Sequence, residues 1–338
     1  MNDFFPKVAA IKRKLRTSEG RRELRQLLEG RIANLLFLEA STRTRTSFDM
    51  AAKLLGMETV VTPGSDITSR SKGETLRNTL LAVLGTRPDI FVLRDPDDDA
   101  ARIAAELAEE YYGGLPVINA GSGKKHHPTQ TQLDHFTLWE LLCEARGVFV
   151  THKEQSTKVL EEIRLERLLL GLTIGIGFDV FFSRTARSFA FQTAKYPVEK
   201  IVFITDPILA PPEELQQHLT ELRVPFEITD NLDAALSLLD ILYGGRLQAE
   251  RLDSEAQREE LRKKMPRFQI TSARAERMKP TALILHPQPI NSDSLEITPE
   301  VQYGSKRCIT RQQSDNGVPV RMADYLWFLN RTAFESLS

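Results

Sequence analysis

Residues 32–48 read IANLLFLEASTRTRTSF, and this stretch decides how the rest of the chain is interpreted. Its apolar first half predicts a buried strand, and its second half predicts a tight turn that leads into a helix. Ser41, Thr42 and Thr44 are residue types that cap helix N-termini, where free backbone N–H groups and the helix dipole favour an anion. Arg43 adds a forked cation. The stretch therefore predicts a phosphate site without the glycines of a Walker loop, and the alternative is an ordinary capped helix with solvated arginines.

Length and composition restrict the class of protein. The 338 residues suit two domains of moderate size, and Lys+Arg 45 against Asp+Glu 46 gives a net charge of -1. Such a balance predicts no nucleic-acid partner and no attraction to anionic membranes. The sequence has no apolar run of membrane-spanning length and does not begin like a signal peptide, so we expect a cytoplasmic protein. Cys143 and Cys308 fit a reducing compartment and predict neither a metal nor a redox site.

Strand-like and helix-like segments alternate along the chain, which is typical of α/β sheets with parallel strands. The opening segment, Val8 to Glu29, predicts one amphipathic surface helix on which Lys12 is exposed. A polar loop over 63–73, rich in small residues, predicts an exposed segment of the kind that often carries function. Lys72, near the end of this loop, is by itself more typical of a solvated lysine than of a ligand.

Two further polar positions follow buried strands. Arg94 ends the strand that begins at Asp89, and His127 and Gln130 stand at the entrance of a helix after the next strand. Ligands of open α/β sheets bind beyond the carboxyl ends of the strands, so we expect these side chains at the same edge as the predicted phosphate site. The pair His126–His127 invites a metal interpretation, but adjacent residues point apart and no further ligand lies at metal-binding spacing. No metal and no other cofactor is predicted.

In order and spacing, these elements resemble the aspartate and ornithine carbamoyltransferase family. The first half, with residues 41–45, 72–76, Arg94 and 127–130, resembles the carbamoyl-phosphate domain of that family. In the second half, Arg184-Thr185 and the run from Arg246 to Arg251 resemble the acceptor elements of its aspartate branch. The segment 286–289, His-Pro-Gln-Pro, resembles a His-Pro-Leu-Pro loop, where ornithine enzymes carry a cysteine. The resemblance extends from about Arg31 to Asn330.

The resemblance implies two doubly wound parallel-sheet α/β domains with an active site in the cleft between them. Residues 1–145 would form the carbamoyl-phosphate domain, completed by the C-terminal helix of 318–338, and residues 146–317 the aspartate domain. The apolar stripe of that last helix, which includes Val320, Tyr325 and Phe328, suits docking on the first domain. The family further implies a homotrimer, possibly within a larger assembly, in which Thr68, Ser69 and Lys72 reach the neighbouring subunit's site.

The activity implied by the resemblance is carbamoyl transfer from carbamoyl phosphate to the amino group of L-aspartate, a step of pyrimidine biosynthesis. The implied roles fall into three groups. The catalytic residues would be Arg43, Thr44, Arg94 and His127. The residues that bind carbamoyl phosphate would be Ser41, Thr42, Arg43, Thr44, Arg94, His127, Gln130, Pro287 and Gln288. The residues that bind aspartate would be Arg184, Arg246 and Gln248. The two arginines of the last group suit two carboxylates, whereas an acid to meet the ammonium of ornithine is not apparent. Taken singly, each arginine more often makes a structural ion pair, and Glu39 and Glu250 are the candidate partners.

Several segments depart from the family pattern. Residues 151–170 add about one amphipathic helix, which is either decoration or a docking surface. Residues 178–182 are more apolar than usual, Gln288 replaces a leucine, and Ile290 begins the replacement of an arginine. Two alternatives therefore stay open: a carbamoyltransferase for another amino-acid acceptor, and a non-catalytic relative that acts as a binding or scaffold subunit.

Overall fold

A computed structural model of the protein describes residues 3–63, 73–151, 163–290 and 295–337. The chain divides into two compact units: unit 1 comprises Met1–Arg164 with Asn316–Ser338, and unit 2 comprises Leu165–Asp315. Each unit is a parallel sheet with helices between its strands, so the predicted α/β class is confirmed. The first division lies after Arg164, whereas the sequence analysis placed it near residue 145, and the described residues 146–151 group with unit 1.

The sheet of unit 1 has the strand order β2-β1-β3-β4, with every neighbouring pair parallel. The two central strands are buried almost throughout, as expected for apolar runs covered on both faces. The strands are β1 (Ile32–Phe37), β2 (Glu58–Pro63), β3 (Ile90–Asp95) and β4 (Val117–Ser122). The helices are α1 (Phe4–Lys14), α2 (Ser18–Arg25), α3 (Thr42–Leu54), α4 (Leu76–Leu84), α5 (Ala100–Tyr112) and α6 (Pro128–Glu144).

The sheet of unit 2 has the order β7-β6-β5-β8-β9 and is also parallel throughout. Its strands are β5 (Thr173–Phe178), β6 (Lys200–Thr205), β7 (Phe226–Thr229), β8 (Ile241–Gly244) and β9 (Leu283–Leu285). Its α-helices are α7 (Leu165–Leu169), α8 (Arg184–Thr193), α9 (Glu213–Glu221), α10 (Leu232–Ala235), α11 (Glu255–Lys264), α12 (Ser272–Glu276), α13 (Pro299–Gly304) and α14 (Thr310–Asp315). Short 3-10 turns lie at Pro207–Leu209, Leu236–Leu238, Ala249–Arg251 and Met265–Phe268.

Each sheet has one point at which the chain reverses its direction of winding. In unit 1 the chain passes from β1 to β2 on one side and continues from β3 to β4 on the other, so the reversal lies between β1 and β3. In unit 2 the corresponding reversal lies between β5 and β8. Open α/β sheets bind ligands beyond the carboxyl ends of the strands at this position. The segments after these four strands are therefore the first places to look for a site.

The C-terminal segment returns to unit 1 as two helices, α15 (Gly317–Leu329) and α16 (Arg331–Ser336). α15 packs against α1, α3 and α6, with Val320 and Tyr325 fully buried. Phe328, expected in the buried stripe, is 49% exposed, because the buried face of α15 ends at Leu326. Asn330 separates the two helices and caps the second by accepting from the Ala333 N–H at 3.1 Å.

The opening segment also differs from its prediction. Two helices replace the single one, because Thr17 accepts from the Gly20 N–H at 3.0 Å and starts α2. Lys12 is not a solvated lysine: its Nζ lies 2.6 Å from Oε1 of Glu140, whose side chain is 5% exposed. Of the predicted extra helix over 151–170, residues 152–162 lie outside the described residues, and 165–169 form α7. Among the described residues, the structure contains no helix both long and apolar enough to cross a membrane.

Candidate functional site

The segment after β1 forms the N-terminus of α3, as the sequence predicts. Ser41 is the N-cap, and within the described chain its side chain makes no capping hydrogen bond. Thr17, Thr75 and Ser183 accept such a bond at other helix N-termini, whereas, among the described residues, Ser254 and Thr298, like Ser41, do not. The Ser41 hydroxyl and the first-turn N–H groups of α3 are therefore placed to meet an anion.

The first turn of α3 carries the remaining residues of this group. Thr44 is 7% exposed, whereas Thr42 and Arg43 are exposed. Desolvation lowers the pKa of the Arg43 guanidinium from its ordinary value, but an arginine stays protonated in proteins. This helix end therefore combines a hydroxyl cap, backbone donors and a permanent cation.

Arg94, on β3, lies on the other side of the reversal in unit 1. It pairs in register with Phe37 of β1 and is only 9% exposed. Its Nε is 3.3 Å from Glu39 Oε2, and its Nη1 is 3.5 Å from both His127 Nε2 and the Ala120 carbonyl oxygen. The Arg94 guanidinium thus pairs with Glu39 and also lies beside His127.

His127 and Gln130 stand at the beginning of α6, after β4. His127 is the N-cap of this helix and is 3% exposed, whereas its neighbour His126 is exposed. Gln130 Nε2 donates to Asp134 Oδ1 at 2.8 Å. Because a carboxylate only accepts, the amide nitrogen of Gln130 must face Asp134, and its carbonyl oxygen is the end left for another partner.

In unit 2 the two predicted acceptor arginines follow the strands that flank the reversal. Arg184 is the first residue of α8 and is 9% exposed, behind the N-cap Ser183, whose Oγ accepts from the Ala186 N–H at 3.3 Å. Arg246 lies two residues beyond β8 and pairs with Glu250, as the sequence analysis anticipated. This Arg246 side chain is 31% exposed. Both guanidinium groups thus belong to the ligand-binding edge of their sheet.

Asp179 ties the two arginine-bearing loops together, and the sequence analysis assigned it no role. It is fully buried and accepts from the N–H of Phe182 at 2.8 Å and from that of Gln248 at 3.1 Å. Burial raises the pKa of this carboxyl group to about 7, although the two backbone donors act in the opposite direction. The sequence signal that could have identified Asp179 is an acidic residue directly after the carboxyl end of an apolar strand.

The 286–289 segment follows β9. His286 is fully buried, its N–H donates to Gln313 Oε1 at 2.9 Å, and its Nδ1 accepts from the Gln288 N–H at 3.0 Å. Gln288 has a φ of 63°, in the left-handed region, and together with Pro287 it is partly exposed. The backbone of this loop is therefore fixed from within unit 2, while the Gln288 side chain is not needed for that contact.

The remaining predicted positions are three residues of the loop over 63–73 and the two cysteines. Thr68, Ser69 and Lys72 lie outside the described residues. Cys143 and Cys308 are buried free thiols, and burial raises the pKa of Cys143 to about 12. Within the described ranges, no group of three or more His, Cys, Asp and Glu side chains is arranged to hold a metal ion.

The chain forms two parallel-sheet α/β units, and each has cationic side chains at the reversal of its sheet. This arrangement defines the class of fold and the position of its sites. The family models for the carbamoyl-phosphate-binding domain and the Asp/Orn-binding domain of aspartate/ornithine carbamoyltransferases match residues 2–140 and 171–328. The chain belongs to the aspartate/ornithine carbamoyltransferase family, which confirms the resemblance found in the sequence.

Individual relatives agree with this assignment. The chain is 37% identical over 298 residues to the aspartate carbamoyltransferase catalytic subunit of Hyperthermus butylicus, covering 88% of this chain and 83% of that protein. The corresponding subunit of Thermococcus gammatolerans is 36% identical over 294 residues, covering 87% and 83%.

Solved structures give the same result. Aspartate transcarbamoylase of Trypanosoma cruzi, in complex with carbamoyl aspartate and phosphate, has a TM-score of 0.77 at 27% identity and covers 96% of this chain and 90% of its own. The catalytic subunit of M. jannaschii aspartate transcarbamoylase has a TM-score of 0.74 at 29% identity and covers 97% and 95%.

Proposed function

We propose that this protein is an aspartate carbamoyltransferase, which transfers the carbamoyl group of carbamoyl phosphate to the amino group of L-aspartate. The products are N-carbamoyl-L-aspartate and phosphate, and the reaction belongs to pyrimidine biosynthesis. The observation that carries the choice of acceptor is the placement of Arg184 and Arg246 after the two strands that flank the reversal in unit 2. Two guanidinium forks suit the two carboxylates of aspartate, and Gln248 adds a further donor.

Unit 1 supplies the residues for carbamoyl phosphate. Ser41, Thr42, Arg43 and the first-turn N–H groups of α3 bind the phosphate, whose charge matches the positive end of the helix. Thr44, Arg94 and His127 face the carbonyl oxygen of the carbamoyl group. Unit 2 contributes the backbone carbonyls of Pro287 and Gln288, which accept hydrogen bonds from the carbamoyl nitrogen.

Gln130 completes the recognition of that nitrogen. Its amide nitrogen is already occupied by Asp134, so its carbonyl oxygen is the end offered to the ligand. A carbamoyl NH₂ group has only donors to present, and an acceptor is the matching partner. The contact of Gln130 with Asp134 therefore supports this role of Gln130.

Chemistry proceeds by direct attack. The lone pair of the uncharged aspartate amine forms a C–N bond to the carbamoyl carbon, and the oxyanion that develops is stabilised by Thr44, Arg94 and His127. The C–O bond to phosphate then breaks, the departing phosphate meets the cations at α3, and it accepts the proton lost by the amine. Most of the acceleration comes from orientation and fixed charge, because holding two substrates together removes a large entropic barrier.

The direct experiment is a colorimetric assay for carbamoyl-aspartate on the purified chain. We expect product with aspartate and none with ornithine, together with competition by succinate, which has both carboxylates but no amine. Carbamoylation of another amino acid while aspartate stays silent would replace the acceptor, and no product with any acceptor would contradict the enzymatic assignment.

We further propose that the active form is a homotrimer in the cytoplasm, a compartment that suits the free thiols of Cys143 and Cys308. Thr68, Ser69 and Lys72 would then act in the neighbouring subunit's site. Mixing inactive Lys72→Ala chains with inactive Arg43→Ala chains should restore activity, because some sites regain both residues. Mixtures as inactive as their parents would contradict a shared site.

A further inference from the structure

A buried carboxylate stands one helical turn behind Gln130. Asp134 is fully buried, and its Oδ1 accepts from Gln130 Nε2 at 2.8 Å. A buried carboxylate is unfavourable unless charges and hydrogen bonds compensate for the lost water.

A positive charge that interacts with Asp134 comes from the far end of the chain. Arg321 of α15 is 3% exposed, and the charges of Asp324 and Asp134 both favour its protonated form, although burial lowers its pKa to about 10. The neighbouring Asp324 accepts from Gln132 Nε2 at 3.1 Å. Arg321 therefore stays a cation at neutral pH, and Asp134 lies within reach of its field.

Arg321 is also fixed in place. Its guanidinium carbon lies 4.8 Å from the centre of the Phe48 ring, which belongs to the phosphate-binding helix α3. Gly317, one turn earlier in α15, leaves room for it, because a Cβ there would stand 2.6 Å from Arg321 Nη1. One side chain thus contacts the helix that carries Ser41 and interacts electrostatically with the carboxylate that holds Gln130.

We propose that Arg321 and Asp134 are positioning residues for the carbamoyl group: Arg321 supplies a positive charge near Asp134, and Asp134 holds the Gln130 amide with its carbonyl oxygen toward the ligand. This inference rests on the proposed function, since it concerns the same site. It predicts that the pair governs recognition of the carbamoyl NH₂ group and not of the phosphate. A purely structural ion pair would affect both parts of the ligand alike.

The test compares two probes in direct binding measurements on the whole protein. Phosphonoacetamide carries an amide NH₂ and a phosphonate, whereas inorganic phosphate carries no amide. Asp134→Asn, which can present either a donor or an acceptor to Gln130, should weaken phosphonoacetamide about tenfold, the scale of one charge-assisted hydrogen bond, and leave phosphate within about twofold. Equal weakening of both probes, or of neither, would overturn the proposal.

A double-mutant cycle tests whether Asp134 acts through Gln130. In a Gln130→Ala background, Asp134→Asn should no longer change phosphonoacetamide binding, because the group that it positions is gone. Additive losses would show that Asp134 acts by another route.

Arg321 provides the second variant, which keeps the proposal testable if Asp134→Asn does not fold. Arg321→Met should lose phosphonoacetamide selectively, and Arg321→Lys should recover part of that loss, because the charge is restored without the planar group. A methionine variant that still discriminates between the probes like the parent would refute the role of Arg321.

Glu140→Gln is the matched control, since Glu140 is a buried carboxylate of the same helix that pairs with Lys12 instead. It should lower the melting temperature and leave the ratio of the two affinities unchanged. Measurements on the unmutated protein also distinguish the positioning hypothesis from the proposed function. If it binds phosphonoacetamide but forms no carbamoyl-aspartate, the proposed function fails while the binding test of the positioning pair still stands.

Discussion

Removing the charge of Arg94 should reduce turnover far more than it reduces substrate binding. The Arg94 guanidinium is 9% exposed and lies 3.5 Å from His127 Nε2, in a position largely closed to water. Loss of one fixed donor to a developing oxyanion lowers kcat about 10²–10³-fold, equivalent to about 2.7–4 kcal/mol. We expect Arg94→Met to fall in this range, with the KM for aspartate changed less than about threefold.

The effect of Arg94→Met on folding should be small by comparison. Arg94 pairs with Glu39 at 3.3 Å, but the Glu39 side chain is 25% exposed and can be hydrated once its partner is gone. A partly exposed pair of this kind contributes about 1 kcal/mol or less. The melting temperature should therefore drop by only a few degrees, which separates a catalytic defect from unfolding.

Steady-state assays for carbamoyl-aspartate, run alongside thermal melts, measure both quantities. Glu39→Gln is the control, because it removes the ion pair and keeps the guanidinium; its kcat should stay close to that of the parent. If Arg94→Met turned over within about fivefold of the parent, the assignment of Arg94 as an oxyanion donor would be refuted.

Arg43→Ala should lower kcat much more than it weakens aspartate binding, because its charge is needed most as phosphate leaves; turnover within a few fold of the parent would contradict this. Arg246→Ala should raise the KM for aspartate steeply and abolish competition by succinate, whereas an unchanged KM would remove Arg246 from the acceptor site. Asp179 has a folded pKa of about 7, above its ordinary value of 3.8, so its contribution to stability is complete below that lower value and is lost as the pH rises through the higher one. Asp179→Asn, which does not titrate, should therefore gain stability relative to the parent between about pH 4 and pH 7 in urea denaturation, and a difference independent of pH would count against the shift. Gln288→Leu should leave the preference for aspartate unchanged, since the loop is held through its backbone, and a switch of acceptor would show that this side chain selects the substrate.

The parts of the fold that follow from local sequence patterns were predictable. Strands such as β1 and β3 are continuous apolar runs because parallel sheets are covered on both faces. The N-terminus of α3 was recognisable because Ser and Thr cap helices for a local reason. The edge at which Arg94 lies followed from a general rule for α/β sheets, without knowledge of any contact.

What could not be predicted depends on partners that are distant along the chain. Lys12 looked solvated because its partner Glu140 is 128 residues away. Arg321 lies in an apolar helix, and no residue near it in the sequence indicates that it interacts with Asp134 or Phe48. Asp179 was visible as an acidic residue after a strand, but its two backbone donors come from separate loops.

Unit 1 is assembled from both ends of the chain, and this has a consequence for synthesis on the ribosome. Lys7 in α1 donates to the carbonyl oxygens of Glu335 and Leu337, each at 2.8 Å, and Asn316 donates to Thr137 Oγ1 at 2.9 Å. The continuous unit 2, by contrast, has been synthesised in full before Asn316 is translated. We therefore expect a released chain that is truncated before Asn316 to contain a protease-resistant unit 2 and a protease-sensitive unit 1. Equal resistance of the two would show that the first 164 residues fold without the last 23.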